Sequence, residues 1–171
     1  MLGNKEGKRI LDGFCRTTET TNDPYIDFEV KRAYLGLLTV LPKDDESAYT
    51  DGDGNTYYFK EPSDPEYRRI CLNDKNPLEE KEYLKPIDVE SIEVDDTTVL
   101  SAYIENDAYI MFPETSDVWG EIAGFGLFRE DKGTTMPYLW GSITALDGST
   151  VNVKAEEIPI IRAKNFKISL R

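Results

Sequence analysis

The side chains of Asp51, Asp53 and Asn55 form the most metal-like run of the sequence. They place oxygen atoms at alternate positions, as a calcium-binding EF-hand loop does, because such spacing lets one loop wrap the ion. The pattern then fails, since the position of the turn glycine is Thr56 and that of the bidentate glutamate is Pro62. We therefore expect an ordinary acidic turn and no bound metal, with calcium at this turn as an open alternative.

Paired carboxylates are a second possible chemistry. Glycoside hydrolysis needs two carboxyl groups about 5 to 9 Å apart, and Glu114 with Asp117 or Glu121 is one pair that could be nominated. The chain has 33 acidic residues, so any such pair carries little information. It has no histidine, which excludes Ser-His-Asp, Cys-His and His-zinc chemistry. We predict that the protein is not an enzyme and needs no cofactor.

Aromatic residues are the third candidate group. Tyr49, Tyr57, Tyr58 and Phe59 lie in or beside an acidic, turn-rich stretch at residues 43–67. Exposed aromatic rings can stack on sugars or anchor a protein partner. The alternative, which we favour, is that residues 57–59 cover the edge of a β-sheet domain.

The charge of the chain restricts its partners. The formal net charge is -13, and the hydrophobic fraction of 39% is that of a folded protein. Such an acidic field repels phosphate backbones and anionic lipids, so we expect neither nucleic acid nor membrane as a partner. We expect neither a secretion signal nor a membrane span, because the sequence has no charged-then-apolar start and no apolar run near twenty residues. A basic protein surface is the partner that this charge favours.

The densest aromatic and glycine pattern lies at residues 112–144, and we expect the rest of the chain to pack around it. Two apolar runs, at 119–128 and 138–144, flank a polar segment with a glycine, which predicts a β-hairpin. Both alternating faces of the first run are apolar, as in the central strand of a sandwich. We assign a core-packing role to six residues, which are Trp119, Gly120, Phe125, Gly126, Trp140 and Gly141.

Further short apolar runs separated by turn residues predict more strands, with a small hairpin around the turn at residues 53–55. Residues 74–84 are predicted to form a helical turn or a loop. The sequence thus predicts an all-β fold, an antiparallel β-sandwich of about eight short strands.

The N-terminal residues Ile10, Leu11 and Phe14 have the spacing of a short amphipathic helix. A helix this short is unstable alone, so we expect it to dock either on this chain's own sandwich or on a partner protein. We therefore divide the chain into a helix and linker at residues 1–24 and a single β-sandwich domain at residues 25–171.

Seven blocks in this order resemble the pattern of small tailed-phage virion proteins of the tail-fibre type, and they are ILDGF, YLGLLTVLP, EYRR, FPET, WGEIAGFGLF, YLWGSI and FKISL. The resemblance implies a β-sandwich virion protein without enzymatic activity, assembled in the bacterial cytoplasm as a tail fibre, head fibre or capsid decoration. It also implies binding to other virion proteins and a homo-oligomer, such as a trimer. A carbohydrate-binding module for host-surface adhesion is the alternative function.

Overall fold

Short runs of β-branched and aromatic residues, separated by turns that contain glycine, aspartate and proline, build the described part of the chain from strands. The computed structural model of the protein describes residues 32–85, 88–94, 97–145 and 147–170. The predicted helix with Ile10, Leu11 and Phe14, and the linker that follows it, lie outside these residues. The thirteen strands are β1 (Tyr34–Leu38), β2 (Tyr49–Thr50), β3 (Thr56–Tyr57), β4 (Ile70–Cys71), β5 (Asp88–Val94), β6 (Thr97–Glu105), β7 (Ile110–Met111), β8 (Gly120–Ile122), β9 (Gly124–Phe128), β10 (Leu139–Ser142), β11 (Val151–Val153), β12 (Ile160–Ile161) and β13 (Lys167–Leu170).

The strands form five small sheets. One sheet has four strands in the order β10-β9-β1-β4, another has three in the order β13-β6-β5, and β8 with β11, β7 with β12 and β2 with β3 form pairs. Neighbouring strands run antiparallel. The predicted all-β, antiparallel class is confirmed, and no helix occurs within the described ranges. The expected number of about eight strands was too low, since thirteen strands are present in the described ranges.

The contacts divide the described chain into two compact units. The first unit contains residues 32–33, 72–110 and 160–170, and the second contains residues 34–71 and 111–159. The first unit holds the three-stranded sheet, and the second holds the four-stranded sheet. The single domain expected at residues 25–171 stays a prediction.

The central hairpin is present in the second unit. β9 lies between β1 and β10, with Leu127 opposite both Leu35 and Leu139. The predicted first run is wrong in one respect, because it is not a continuous strand. It breaks at Ala123, whose N–H donates to the carbonyl oxygen of Leu38, and β8 on the other side of the break pairs with β11.

Two glycines of β9 allow close packing in this sheet. A Cβ atom at Gly124 would overlap the carbonyl oxygen of Gly141 on the neighbouring strand. A Cβ atom at Gly126 would lie 2.8 Å from the ring of Phe128. The glycines of this hairpin therefore serve strand packing, as interior strand glycines often do.

The small predicted hairpin is also present, with Tyr49 opposite Tyr57 and Thr50 opposite Thr56. Residues 74–84 form turns with an antiparallel bridge between Lys75 and Glu82. Among the residues that the structure describes, no helix has the length and hydropathy to cross a membrane.

Candidate functional site

Three aromatic side chains of the second unit, Tyr67, Phe112 and Trp119, pack against one another. The ring of Trp119 lies edge-on to Tyr67 at 5.2 Å and edge-on to Phe112 at 6.4 Å between ring centroids. Tyr67 and Phe112 are stacked with their centroids 6.5 Å apart. Such edge-to-face and offset contacts are the favoured aromatic geometries. They bring together three segments of the sequence that lie just outside the strands.

Asp64 is a buried carboxylate beside this aromatic cluster. Its Oδ1 accepts hydrogen bonds from the N–H of Glu66 (2.8 Å) and the hydroxyl of Ser116 (2.6 Å). Its Oδ2 accepts from the N–H groups of Ser116 (2.8 Å) and Asp117 (3.0 Å) and from Nε1 of Trp119 (2.8 Å). One side chain thus holds the segment at residues 64–66 against the segment at residues 116–119.

The charge of Asp64 is stabilised by these donors. Burial acts to raise the pKa of its carboxyl group, but the hydrogen bonds from Ser116, Asp117, Glu66 and Trp119 outweigh burial. The pKa of Asp64 therefore lies well below the ordinary aspartate value of 3.8. The carboxylate is ionised at neutral pH and is bound by neutral donors alone.

A second acid, Glu61, is half-buried and is held by a cation. Nε and Nη2 of Arg69 donate to Oε1 and Oε2 of Glu61 at 2.9 and 2.7 Å, and the hydroxyl of Tyr67 donates to Oε1 at 2.8 Å. This bidentate geometry is the strong form of an arginine-carboxylate pair. Burial raises the pKa of the Tyr67 hydroxyl, and the neighbouring Glu61 raises it further.

Arg69 also fixes the loop between β9 and β10. Its Nη1 donates to the carbonyl oxygen of Glu130 at 2.9 Å, and its Nη2 donates to that of Gly133 at 2.8 Å. The guanidinium carbon lies 3.4 Å from the ring centroid of Phe128. This one side chain therefore connects an ion pair, a hairpin loop and a core aromatic residue.

Gly36 on β1 leaves the space that this ion pair needs. A Cβ atom at Gly36 would lie 2.6 Å from Oε1 of Glu61, 2.9 Å from Phe128 and 3.0 Å from the hydroxyl of Tyr67. Real Cβ atoms do not make contacts this short with fixed neighbours. The glycine in the YLGLL block is thus explained by the buried polar groups next to it.

The first unit has a comparable polar centre at Asn106, which is fully buried. Its Nδ2 donates to the carbonyl oxygens of Ala108 (2.8 Å) and Arg162 (2.9 Å), and its Oδ1 accepts from the N–H of Phe166 (2.9 Å). Its own N–H donates to Phe166, and its carbonyl oxygen accepts from Lys164. All the hydrogen-bonding groups of this residue hold residues 162–166 beside residues 106–108.

A second buried asparagine, Asn76, fixes a turn of the first unit. Its Oδ1 accepts from the N–H groups of Leu78 and Glu79, and its Nδ2 donates to the carbonyl oxygen of Tyr109 at 2.6 Å. The side chain of Glu79 accepts from the N–H of Tyr109 in return. The predicted turn at residues 74–84 is thus cross-linked to the residue before β7.

The metal-like run forms a tight turn between β2 and β3. Oδ1 of Asp51 accepts from the N–H groups of Asp53 (3.1 Å) and Asn55 (2.8 Å), and Oδ2 accepts from the side chain of Asn55 (3.2 Å). Hydrogen bonds from Asn55 lower the pKa of Asp51. In the described ranges, no group of three or more cysteine, aspartate and glutamate side chains is arranged to hold a metal ion.

Two of the candidate glycan-binding tyrosines pack on each other. The rings of Tyr49 and Tyr57 are stacked with centroids 5.3 Å apart and planes 14° apart. Nζ of Lys43 lies over the Tyr49 ring at 4.4 Å, and Nζ of Lys60 lies over the Tyr57 ring at 4.0 Å. Ring surface that a sugar would need is therefore in contact with other side chains.

The other two candidates differ from each other. Phe59 packs against Phe128, with ring centroids 5.5 Å apart. Tyr58 lies 48% exposed. The four aromatic residues thus do not form one open platform, and Tyr58 is the member that presents its ring to solvent.

The residues assigned to core packing differ in burial. Trp119 and Gly126 are buried, whereas Gly120, Phe125, Trp140 and Gly141 are half-buried. The nominated acids Glu114, Asp117 and Glu121 are exposed. Glu121 lies on β8, and Glu114 and Asp117 lie in the segment between β7 and β8.

Sequence reasoning missed the polar centres of both units, which are Glu61, Asp64, Arg69, Asn76 and Asn106. One usable signal was the EYRR block, because Tyr67 and Arg69 share one face of an extended chain. Asp64 gave no such signal, since an acid between serine and proline in a hydrophilic stretch reads as a solvated turn residue.

The sequence blocks that carry the phage resemblance contribute several residues of the second unit's aromatic cluster and of the adjoining Glu61–Arg69 site. YLGLL supplies Gly36, EYRR supplies Tyr67 and Arg69, FPET supplies Phe112, and the long aromatic block supplies Trp119. Comparison of the chain with protein-family models, with curated proteins and with solved structures gave no match.

Proposed function

We propose that this protein is a non-enzymatic structural component of a phage virion, as a tail fibre, head fibre or capsid decoration protein. It would act by docking on other virion proteins in a symmetric homo-oligomeric assembly, such as a trimer, after synthesis in the bacterial cytoplasm. Its antiparallel sheets would pack as a β-sandwich, the finer architecture that the resemblance implies.

The observation that carries the proposal is the convergence of the resembling blocks on one buried cluster. Gly36, Tyr67, Arg69, Phe112 and Trp119 come from four separate blocks, yet they pack within one unit. Residue types that share a packing task are expected to occur together in proteins of one architecture. The order of the blocks is therefore tied to a physical arrangement.

The chemistry of the buried acids supports a structural function. Catalytic carboxylates need a vacant acceptor or a transferable proton that faces a substrate. Both oxygens of Asp64 accept internal hydrogen bonds, and both oxygens of Glu61 are bound by Arg69. These groups hold loops in place, which is the work of a rigid scaffold.

The test is addition of the purified full-length protein to virion particles assembled without it. We expect a defined oligomer by analytical ultracentrifugation and saturable binding to the particles, with extra density at symmetric positions in cryo-electron microscopy. A protein that stays monomeric and leaves the particles unchanged would contradict the proposal.

A carbohydrate-binding module for host adhesion is the second candidate, and the exposed ring of Tyr58 favours it. Because Tyr49 and Tyr57 already stack on each other, a sugar would contact Tyr58 first. A glycan array separates this candidate from the first one. Binding that is lost in Tyr58→Ala and kept in Tyr109→Ala, an exposed tyrosine of the other unit, would support adhesion.

A further inference from the structure

Two segments of the second unit, residues 112–121 and 151–159, run side by side, and we call them the acidic ladder. Backbone hydrogen bonds connect Phe112 to Pro159 (2.9 Å) and Trp119 to Val153 (3.1 Å). Between these contacts, the N–H of Thr115 donates to Glu157 at 2.9 Å. The buried hydroxyl of Thr115 also donates to the carbonyl oxygen of Lys154 at 2.6 Å. The ladder is thus fixed along its length.

Two aliphatic side chains of the acidic ladder face solvent. Val118 is 61% exposed and Ile158 is 48% exposed. Single exposed apolar residues are common on protein surfaces. The two side chains lie on segments that are hydrogen-bonded to each other along the ladder.

The charged side chains of the acidic ladder have mainly one sign. The ladder contains a single basic residue, Lys154, and five acidic residues, which are Glu114, Asp117, Glu121, Glu156 and Glu157. All five are exposed. An apolar contact framed by carboxylates favours a basic partner and opposes an acidic one.

The ladder is held in its conformation by the buried centre of the same unit. Asp64 binds the N–H groups of Ser116 and Asp117 and the indole of Trp119, the residues on either side of Val118. The side chain of Asp117 accepts from the N–H of Val118 itself at 2.7 Å. A surface that is ordered before binding loses less conformational entropy when a partner docks.

We propose that the acidic ladder is the docking face for a basic segment of a partner protein, with apolar residues that contact Val118 and Ile158 and with flanking lysine or arginine residues that contact the carboxylates. The proposal rests on the virion function proposed above and names the surface and the partner chemistry. A second copy of this chain is a poor occupant, since two faces with this charge repel each other. Homo-oligomer contacts would therefore use another surface.

The test uses a fluorescein-labelled peptide, KKLGLKK, and the full-length protein at low ionic strength. We expect saturable binding by fluorescence anisotropy that weakens with added salt. Val118→Ser should weaken binding roughly tenfold, as for an anchor residue. Glu114→Gln/Glu121→Gln should weaken it by several-fold and reduce its dependence on salt.

Matched controls come from the first unit. Leu78 is 73% exposed. Its turn at residues 74–84 contains four acidic residues and two lysines, which are Lys75 and Lys81. Leu78→Ser and Glu80→Gln/Glu82→Gln should leave peptide binding unchanged. Carbodiimide cross-links from the peptide lysines should map to residues 112–121 and 151–159. Equal loss in the two sets of variants, cross-links elsewhere, or no binding would each overturn the proposal.

Particle binding separates this proposal from the proposed function. If the wild-type protein and Val118→Ser bind virion particles equally, the function stands and the docking face is wrong. If peptide binding depends on the ladder but the wild-type protein does not bind particles, the docking face stands and the virion function is wrong.

Discussion

Asp64 in the second unit and Asn106 in the first unit do the same work with different chemistry. Each side chain is buried and binds backbone groups of a segment more than 50 residues away along the chain. The separations are 52 and 53 residues for Asp64 and 56 and 60 residues for Asn106. Asp64 is an ionised acceptor that gathers N–H and O–H donors. Asn106 is neutral and binds carbonyl oxygens and an N–H group together.

The difference shows what each centre can tolerate. A carboxylate accepts at several positions around two oxygens, so it can collect donors from an irregular loop, but its stabilisation depends on ionisation. A carboxamide needs donors and acceptors at fixed positions, and it does not titrate. The centre at Asp64 thus relies on charge, as does the Glu61–Arg69 pair of the same unit, whereas the centre at Asn106 relies on matched neutral geometry.

The largest expected effect in this comparison is the loss of the buried cation. Arg69→Met leaves Glu61 in the site without its partner and frees the loop at residues 130–133. Removal of one member of a buried pair costs about 3–5 kcal/mol. Urea unfolding at neutral pH measures this cost, and Arg68→Met, at the exposed neighbour, should change little. Equal stability of the two variants would contradict a charge-based centre.

Asn106→Leu should have the next largest effect. The substitution keeps similar volume but leaves the carbonyl oxygens of Ala108 and Arg162 and the N–H of Phe166 without this partner. Each buried group left without a hydrogen-bond partner costs about 1–3 kcal/mol, and relaxation of the structure relieves part of that cost. We therefore expect the free energy of unfolding to fall by about 3 kcal/mol. Thermal unfolding compared with Asn165→Leu, at an exposed asparagine of the same unit, gives the measurement. An unchanged melting temperature would sink the neutral-centre interpretation.

Gly36→Ala should have a smaller effect on the charged centre. The added methyl group would press on Glu61, Phe128 and Tyr67, and overpacking of this kind costs about 1–3 kcal/mol. Gly52→Ala is the matched control, since a Cβ atom there meets nothing within 4 Å. If the two alanine variants unfold at the same denaturant concentration, the ion pair has more room than its contacts indicate.

The last expected effect is a change in how the free energy of unfolding depends on pH. The pKa of Asp64 in the folded protein is lower than in the unfolded chain, so its stabilisation is present above about pH 4 and is lost as the pH falls below that value. The free energy of unfolding should therefore decrease less between pH 5 and pH 2 in Asp64→Asn than in the wild type. Asn106→Leu should keep the wild-type pH dependence, because an amide does not titrate. Parallel pH profiles for all three proteins would show that the two centres do not differ in this way.

The hairpins could be predicted because their signals are local. Alternating apolar residues and turn sequences such as that at residues 51–55 specify strand pairing between neighbours in sequence. The break at Ala123 could not be predicted, since it reflects a change of partner from β11 on one side to β1 and β10 on the other. This break adds one strand to the count.

The polar centres could not be predicted because the residues that bury them are distant in sequence. Nothing near Asp64 indicates that Trp119 will donate to it, at a separation of 55 residues. Arg69 likewise meets Glu130 and Gly133 at separations of 61 and 64 residues. The small hairpin around residues 53–55 could be predicted, but the stacking of Tyr49 on Tyr57 depends on the register of that hairpin.

The division of the second unit into two stretches, residues 34–71 and 111–159, has a consequence for protein synthesis. Strand β1 emerges from the ribosome long before β9, its partner along its whole length. Until then its leucines lack the neighbours that bury them, and an unpaired apolar strand is prone to aggregation. Folding of this unit therefore completes only after residue 159 has been translated. A chaperone that covers β1 during this interval should raise the yield of soluble protein.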